Sequence, residues 1–112
     1  MATIANLYVD SGSDYSNIIT IASSTGAALD LTNYTVKSQM RKSYGSSTYY
    51  DFTASVYDAA TGKIRLQITA ANTSLIPAGR YLYDIEITNT GTGAKTRVLE
   101  GIVMVTPEIT KT

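Results

Sequence analysis

The sequence predicts an all-β domain, a two-sheet sandwich of about seven strands. Three observations carry this expectation. Thr, Ser, Tyr, Val and Ile dominate while the helix formers Glu, Lys and Leu are sparse, which favours extended chain. Apolar and polar residues alternate with period two over several stretches. Clusters of Gly, Asn, Asp and Ser punctuate those stretches at the spacing of a sandwich. With 112 residues, the chain fits a single domain spanning 1–112 and can bury a core without cross-links. A content of 44% hydrophobic and 16% charged residues is that of a globular chain.

Taken in order, Leu7 and Val9 flank Tyr8 in a first short strand, and Asp10-Ser-Gly-Ser-Asp14 reads as a turn. Residues 18–21 form a second strand, ended by Ser23-Ser-Thr-Gly26. In the third, Val36, Ser38 and Met40 share one face and Lys37, Gln39 and Arg41 the other. Tyr44-Gly-Ser-Ser47 makes a polar loop, and residues 52–57 a fourth strand placed at a sheet edge. Asp58-Ala-Ala-Thr-Gly62 is a hairpin turn with Gly62 left-handed. Ile64, Leu66 and Ile68 then face inward while Lys63, Arg65 and Gln67 face water. The alternation breaks over residues 71–79, where Asn72 or Thr73 caps one helical turn that Pro77 and Gly79 end. In residues 81–87, Tyr83, Ile85 and Ile87 face in, and Asp84 and Glu86 face out. Asn89-Thr-Gly-Thr-Gly-Ala94 is a hairpin loop, and residues 97–105 form the last strand, closed by Pro107.

Within that order, Leu75-x-Pro77-x-x-x-Tyr81 resembles the tyrosine-corner segment of fibronectin type III and related Ig-like domains. There a Tyr at the start of the sixth strand hydrogen-bonds back across the preceding crossover. The resemblance implies an Ig-like, fibronectin-III-like sandwich with Tyr81 as its structural corner. The plainer reading of Tyr81 is a half-buried aromatic at a sheet edge.

Chemistry is sparse. Without Cys or His, thiolate and imidazole metal sites and the Ser-His or Cys-His nucleophile pairs cannot be built. Nine Lys and Arg balance nine Asp and Glu, whereas a nucleic-acid partner calls for a basic excess. No basic segment precedes an apolar one at the start, so no secretory leader is expected, and no apolar run reaches the ~20 residues of a membrane span. A protein made and kept in a cytoplasm, or assembled into something there, is the expectation.

Individual motifs yield little more. Gly91-Thr-Gly-Ala-Lys-Thr96 resembles a phosphate loop, but its first Gly is misplaced and a strand follows it, so it is a hairpin. Asp10 and Asp14 lack the further acidic ligands of a strong calcium loop, so that segment is a plain turn. Asp84 and Glu86 share a strand face; with Arg41 and Arg97 as neighbours they form an ion-pair ladder rather than an acid-base pair. That ladder fixes strand register or, alternatively, selects a docking partner. Asn33-Tyr-Thr35 and Asn72-Thr-Ser74 match the glycosylation sequon by chance. No enzyme activity, cofactor, metal or small-molecule substrate is expected. Tyr supplies nine of ten aromatics, and Tyr44, Tyr49 and Tyr50 cluster with Ser and Gly, a mix typical of contact surfaces. Covering the core is the other use for Tyr50.

Three segments together resemble a known group. They are Asp30-Leu-Thr-Asn-Tyr-Thr-Val-Lys-Ser-Gln-Met-Arg-Lys42, Pro77-Ala-Gly-Arg-Tyr-Leu-Tyr-Asp-Ile-Glu-Ile87 and Arg97-Val-Leu-Glu-Gly-Ile-Val-Met-Val-Thr-Pro-Glu-Ile-Thr110. Their order is similar to short virion structural proteins of tailed bacteriophages and to the Ig-like N-terminal domain of phage baseplate upper proteins. Asn33 stands where that group has Gly, a change an Asn-tolerant turn absorbs. The baseplate proteins continue into further domains; this chain is expected to act as a stand-alone unit. The resemblance implies a virion component, at the tail or baseplate, that docks onto other virion proteins and copies of itself. Exposed edge strands and the tyrosine-bearing loop, with Arg41 and Glu86, would make the contacts. Head decoration and a host-surface glycan or receptor-binding module are the alternatives.

Overall fold

The computed structural model describes residues 3–22 and 26–107. Residues 23–25 of the turn expected after the second strand, and residues 108–110 of the third resembling segment, lie outside them. The chain is all-β. It forms β1 (Thr3–Ile4), β2 (Leu7–Asp10), β3 (Tyr15–Thr20), β4 (Tyr34–Arg41), β5 (Tyr49–Asp58), β6 (Lys63–Ile68), β7 (Gly79–Asn89) and β8 (Lys95–Thr106), with one helical turn, α1 (Ala70–Thr73). The period-two patterning appears directly as burial: Ile64, Leu66 and Ile68 of β6 are buried between half-exposed Lys63, Arg65 and Gln67.

The strands form one continuous mixed sheet in the order β1-β8-β7-β4-β5-β6-β3, with β2 also on β8, and its two stretches are called sheets A and B below. In sheet A, β1 and β2 both run parallel to β8, and β8, β7, β4 and the first part of β5 continue antiparallel. In sheet B, the second part of β5 pairs with β6, and β6 with β3. Inward residues of both, among them Val9, Met40, Phe52, Ile64, Leu66, Ile85 and Val103, merge into one apolar core.

The expected edge position of the fourth strand is corrected by β5. Residues 49–52 pair with β4 and residues 53–58 with β6, so the strand lies inside the sheet and joins its two stretches. Its alternation is regular, with Tyr50, Phe52, Ala54 and Val56 on the covered side and the other side exposed, which is also how an edge strand reads. β1 is an additional strand: two residues are too short to show a period.

Turns follow their residues. Gly62 has φ +70, and a Cβ there would lie 2.6 Å from the Leu29 carbonyl oxygen, so both conformation and space require Gly. Asn33 takes φ 66, the left-handed position that Asn tolerates. The expected capping of α1 by Asn72 or Thr73 is replaced by a cap from a distant turn: Asp14 Oδ1 accepts from the Ala70 N–H at 2.7 Å. Thr73 is instead buried at the end of α1, where its hydroxyl accepts from the Gly12 N–H (3.1 Å) and donates to the Ser13 carbonyl (2.9 Å). Asp10 is engaged separately, accepting from the Thr106 hydroxyl at 2.7 Å.

Two tyrosines of β7 are buried and donate to backbone. Tyr81, 2% exposed, donates to the Pro77 carbonyl at 2.6 Å. Tyr83 donates to the Ala5 carbonyl at 2.6 Å, where the chain crosses from β1 to β2. Gly101 lies beneath this crossing, and a Cβ there would collide with the same carbonyl.

Candidate functional site

The outer face of sheet A gathers most of the charged and aromatic residues singled out in the sequence. On β4 it presents Lys37, Gln39 and Arg41; on β7, Leu82, Asp84 and Glu86; on β8, Arg97, Glu100, Ile102 and Met104. Strict alternation on β8 would turn Arg97 inward with Leu99. A bulge prevents this: Ile85 pairs with Leu99 but Glu86 with Arg97, leaving Val98 as the extra residue. Arg97 and Glu100 therefore share the outer face.

Arg97 holds two carboxylates there. Its Nε lies 3.2 Å from Asp84 Oδ2 and its Nη1 3.2 Å from Glu100 Oε2. The Glu100 hydrogen bond and the Asp84 charge hold the guanidinium above its ordinary value. The Asp84 carboxyl is also raised, because burial outweighs the stabilising charge of Arg97, and Glu86 adds repulsion.

The expected partnership of Arg41 with the carboxylates is corrected by register. Arg41 lies opposite Leu82, whereas Asp84 faces Gln39 and Glu86 faces Lys37. Its guanidinium donates to the Ser46 carbonyl at 2.6 Å and to Gln39 Oε1 at 3.2 Å, and sits 4.9 Å from the centre of the Tyr49 ring. The residue thus ties the 42–48 loop to the sheet and presents Tyr49 beside a fixed cation.

The tyrosine cluster divides. Tyr44, 79% exposed, stands over a shallow cleft of about 190 Å³ that Gln39, Arg41, Asp84, Arg97 and Glu100 also line. Tyr49 is exposed on the same face. Tyr50 turns the other way and packs edge-on against Tyr81, ring centres 6.0 Å apart, so it covers the core. Glu86 is half-buried between Lys37 and Arg97 in register.

Sequence reasoning missed an apolar margin on this face. Ile4 and Tyr8 are 73% and 70% exposed, and Tyr8 is in register with Met104, itself 38% exposed. Each looks like an ordinary strand residue; only the pairing of β1 and β2 with β8 puts them together. Among the described residues, no group of three or more Asp, Glu, His or Cys could hold a metal ion.

No protein-family model matches the chain, and no curated protein matches it in sequence. Its fold is similar to that of part of InlP from Listeria monocytogenes, with a TM-score of 0.50, 12% identity, and coverage of 94% of this chain and 28% of that one. A family 123 glycoside hydrolase from Clostridium perfringens aligns with a TM-score of 0.42 and 11% identity over 96% of this chain and 23% of that one. The chain therefore spans less than a third of either protein. The likeness to InlP concerns the fold alone.

Proposed function

We propose that this chain is a non-enzymatic structural module of a tailed-phage virion, at the tail or baseplate, that docks onto neighbouring subunits through the outer face of sheet A. The observation that carries the docking role is the fixed array on that face. Arg41 is held by Ser46, Gln39 and Tyr49, and Arg97 by Asp84 and Glu100, with Tyr44 and Tyr49 exposed beside them. Side chains already ordered lose little entropy on association, and their charge pattern selects a partner. The margin of Ile4, Tyr8 and Met104 adds apolar area of the kind that marks interaction surfaces. Placement in a virion is supported by the three segments that resemble phage structural proteins.

We also propose that sheets A and B pack as an Ig-like sandwich, with β5 changing sheets. Support comes from the antiparallel order β8-β7-β4 on one side and β6-β3 on the other, and from the parallel β2-β8 pair. The Tyr81 bond to Pro77 is the contact a tyrosine corner makes.

Antibody labelling of purified particles, with copies counted per particle, tests the virion role. Label confined to the tail supports it. Dense label over heads would make the chain a decoration protein, and particles without it would sink the reading. Glu86→Lys and Arg41→Glu should leave the circular-dichroism spectrum unchanged yet block incorporation. Normal incorporation of both would remove the outer face of sheet A from the docking role.

A further inference from the structure

Among the described residues, β3 forms a free edge, and its own sequence carries none of the usual protection. It pairs with β6 over all six of its residues and, among the described residues, with no other strand, because β1 and β2 lie on β8 instead. The segment Tyr15-Ser-Asn-Ile-Ile-Thr20 contains no charge, no Pro and no bulge, the devices by which edges are normally blunted.

Which backbone groups face outward follows from the end of the strand. Register places residue 21 opposite Gly62, and the Ile21 N–H donates to the Gly62 carbonyl at 2.7 Å. The Ile21 carbonyl accepts on the same side, from the N–H of Leu29, which packs on Gly62. Bonding sides alternate along an antiparallel strand. Tyr15, Asn17 and Ile19 therefore bond toward β6, and Ser16, Ile18 and Thr20 point their N–H and C=O groups away from it.

We propose that this edge pairs antiparallel with the same edge of a second copy of the chain, about a two-fold axis through Ile18. This register sets Ile18 against Ile18 of the second copy and Ser16 against Thr20 of the second copy. Each outward-bonding residue meets another outward-bonding residue, so three residues from each copy form a ladder of six hydrogen bonds. Apolar then faces apolar and hydroxyl faces hydroxyl on the outer face, where Ile18 is 43% exposed. Charge is compatible with a copy: the strand is uncharged and the chain has no net charge to repel itself. An arbitrary partner would have to supply the matching pattern, whereas a copy supplies it by symmetry. Six residues a side is well under the roughly 20 of a standard interface, so a dissociation constant of about 1 µM to about 1 mM is expected. The edge belongs to sheet B, so its test reads separately from docking through the outer face of sheet A.

Sedimentation equilibrium on the purified chain from about 10 µM to about 1 mM should show a monomer–dimer equilibrium. Ile18→Lys and Ile18→Glu, at an exposed position, should each keep the circular-dichroism spectrum and weaken the dimer at least about tenfold, through like charge at the axis. An equimolar mixture of the two variants should restore it. Amides of Ser16, Ile18 and Thr20 should exchange more slowly as the wild-type concentration rises. A chain that stays monomeric throughout, a dimer that both variants leave intact, or a mixture that stays monomeric overturns the proposal.

Discussion

The Tyr83 hydroxyl and the Ala5 carbonyl, 78 residues apart in sequence, are joined by a 2.6 Å hydrogen bond above Gly101. Tyr83 is 4% exposed, so water is a poor substitute partner for its hydroxyl. The bond fastens the crossing between β1 and β2 to the centre of sheet A, and Asn6 Oδ1, which accepts from the Ile102 N–H at 3.2 Å, secures the same crossing from the other side.

Replacing Tyr83 with Phe should destabilise the chain by about 1–2 kcal/mol, because the ring still packs but the Ala5 carbonyl loses its donor. Urea denaturation measures the loss. Hydrogen exchange should localise it to β1 and β2, leaving β6 unaffected.

Gly101→Ala acts on the same crossing by volume instead. The new methyl must displace the Ala5 carbonyl, and overpacking of this kind costs about 1–3 kcal/mol. The double variant with Tyr83→Phe should lose less than the sum of the singles, since both release one contact. Strict additivity in a double-mutant cycle would show that the two residues act independently.

Tyr81→Phe should also cost about 1–2 kcal/mol while leaving the circular-dichroism spectrum unchanged. Its hydroxyl supports the segment from α1 to β7 through Pro77, so exchange should rise over residues 74–78. An unchanged denaturation midpoint would remove structural weight from that bond.

Alkaline pH provides a further measurement. Burial raises the phenol groups of Tyr15, Tyr81 and Tyr83 above the usual value of 10.0. The folded chain then holds these protons more tightly than the unfolded one. The stability this supplies is complete below about pH 10 and is lost as pH rises through the folded-state values. Phenolate absorbance should show a late phase coincident with unfolding, and Tyr83→Phe should reduce its amplitude.

Much of the strand layout was legible because it rests on local alternation. The inward positions of Met40, Ile64, Leu66, Ile85 and Val103 follow from period two alone. Three features were hidden for physical reasons. β5 joins the two stretches of the sheet without a change in its burial rhythm, since both halves are half-covered. The bulge at Val98 shifts the parity of Arg97, and a shift in parity shows only against the paired strand. The crossing over Gly101 depends on residues at opposite ends of the chain, although an isolated Gly within a strand is a sign that another backbone approaches closely. At the outer face the residue types and the pairing of Arg97 with Asp84 were readable, and the place of Arg41 was not: it binds its own loop, because register sets it opposite Leu82.

The parallel pairing of β2 with β8 also decides how the chain bears load. The two strands run in the same direction, so tension applied between Leu7 and Thr106 draws them past each other lengthwise. Their four residue pairs are then strained together, in shear, instead of opening one after another from an end as a zip does. The Tyr83–Ala5 bond and the cap of Asp10 by Thr106 sit at the two limits of that row and resist the same displacement. A pull between Leu7 and Thr106 therefore loads that row of hydrogen bonds all at once, whereas antiparallel β3 and β6, pulled apart from one end, would yield theirs singly.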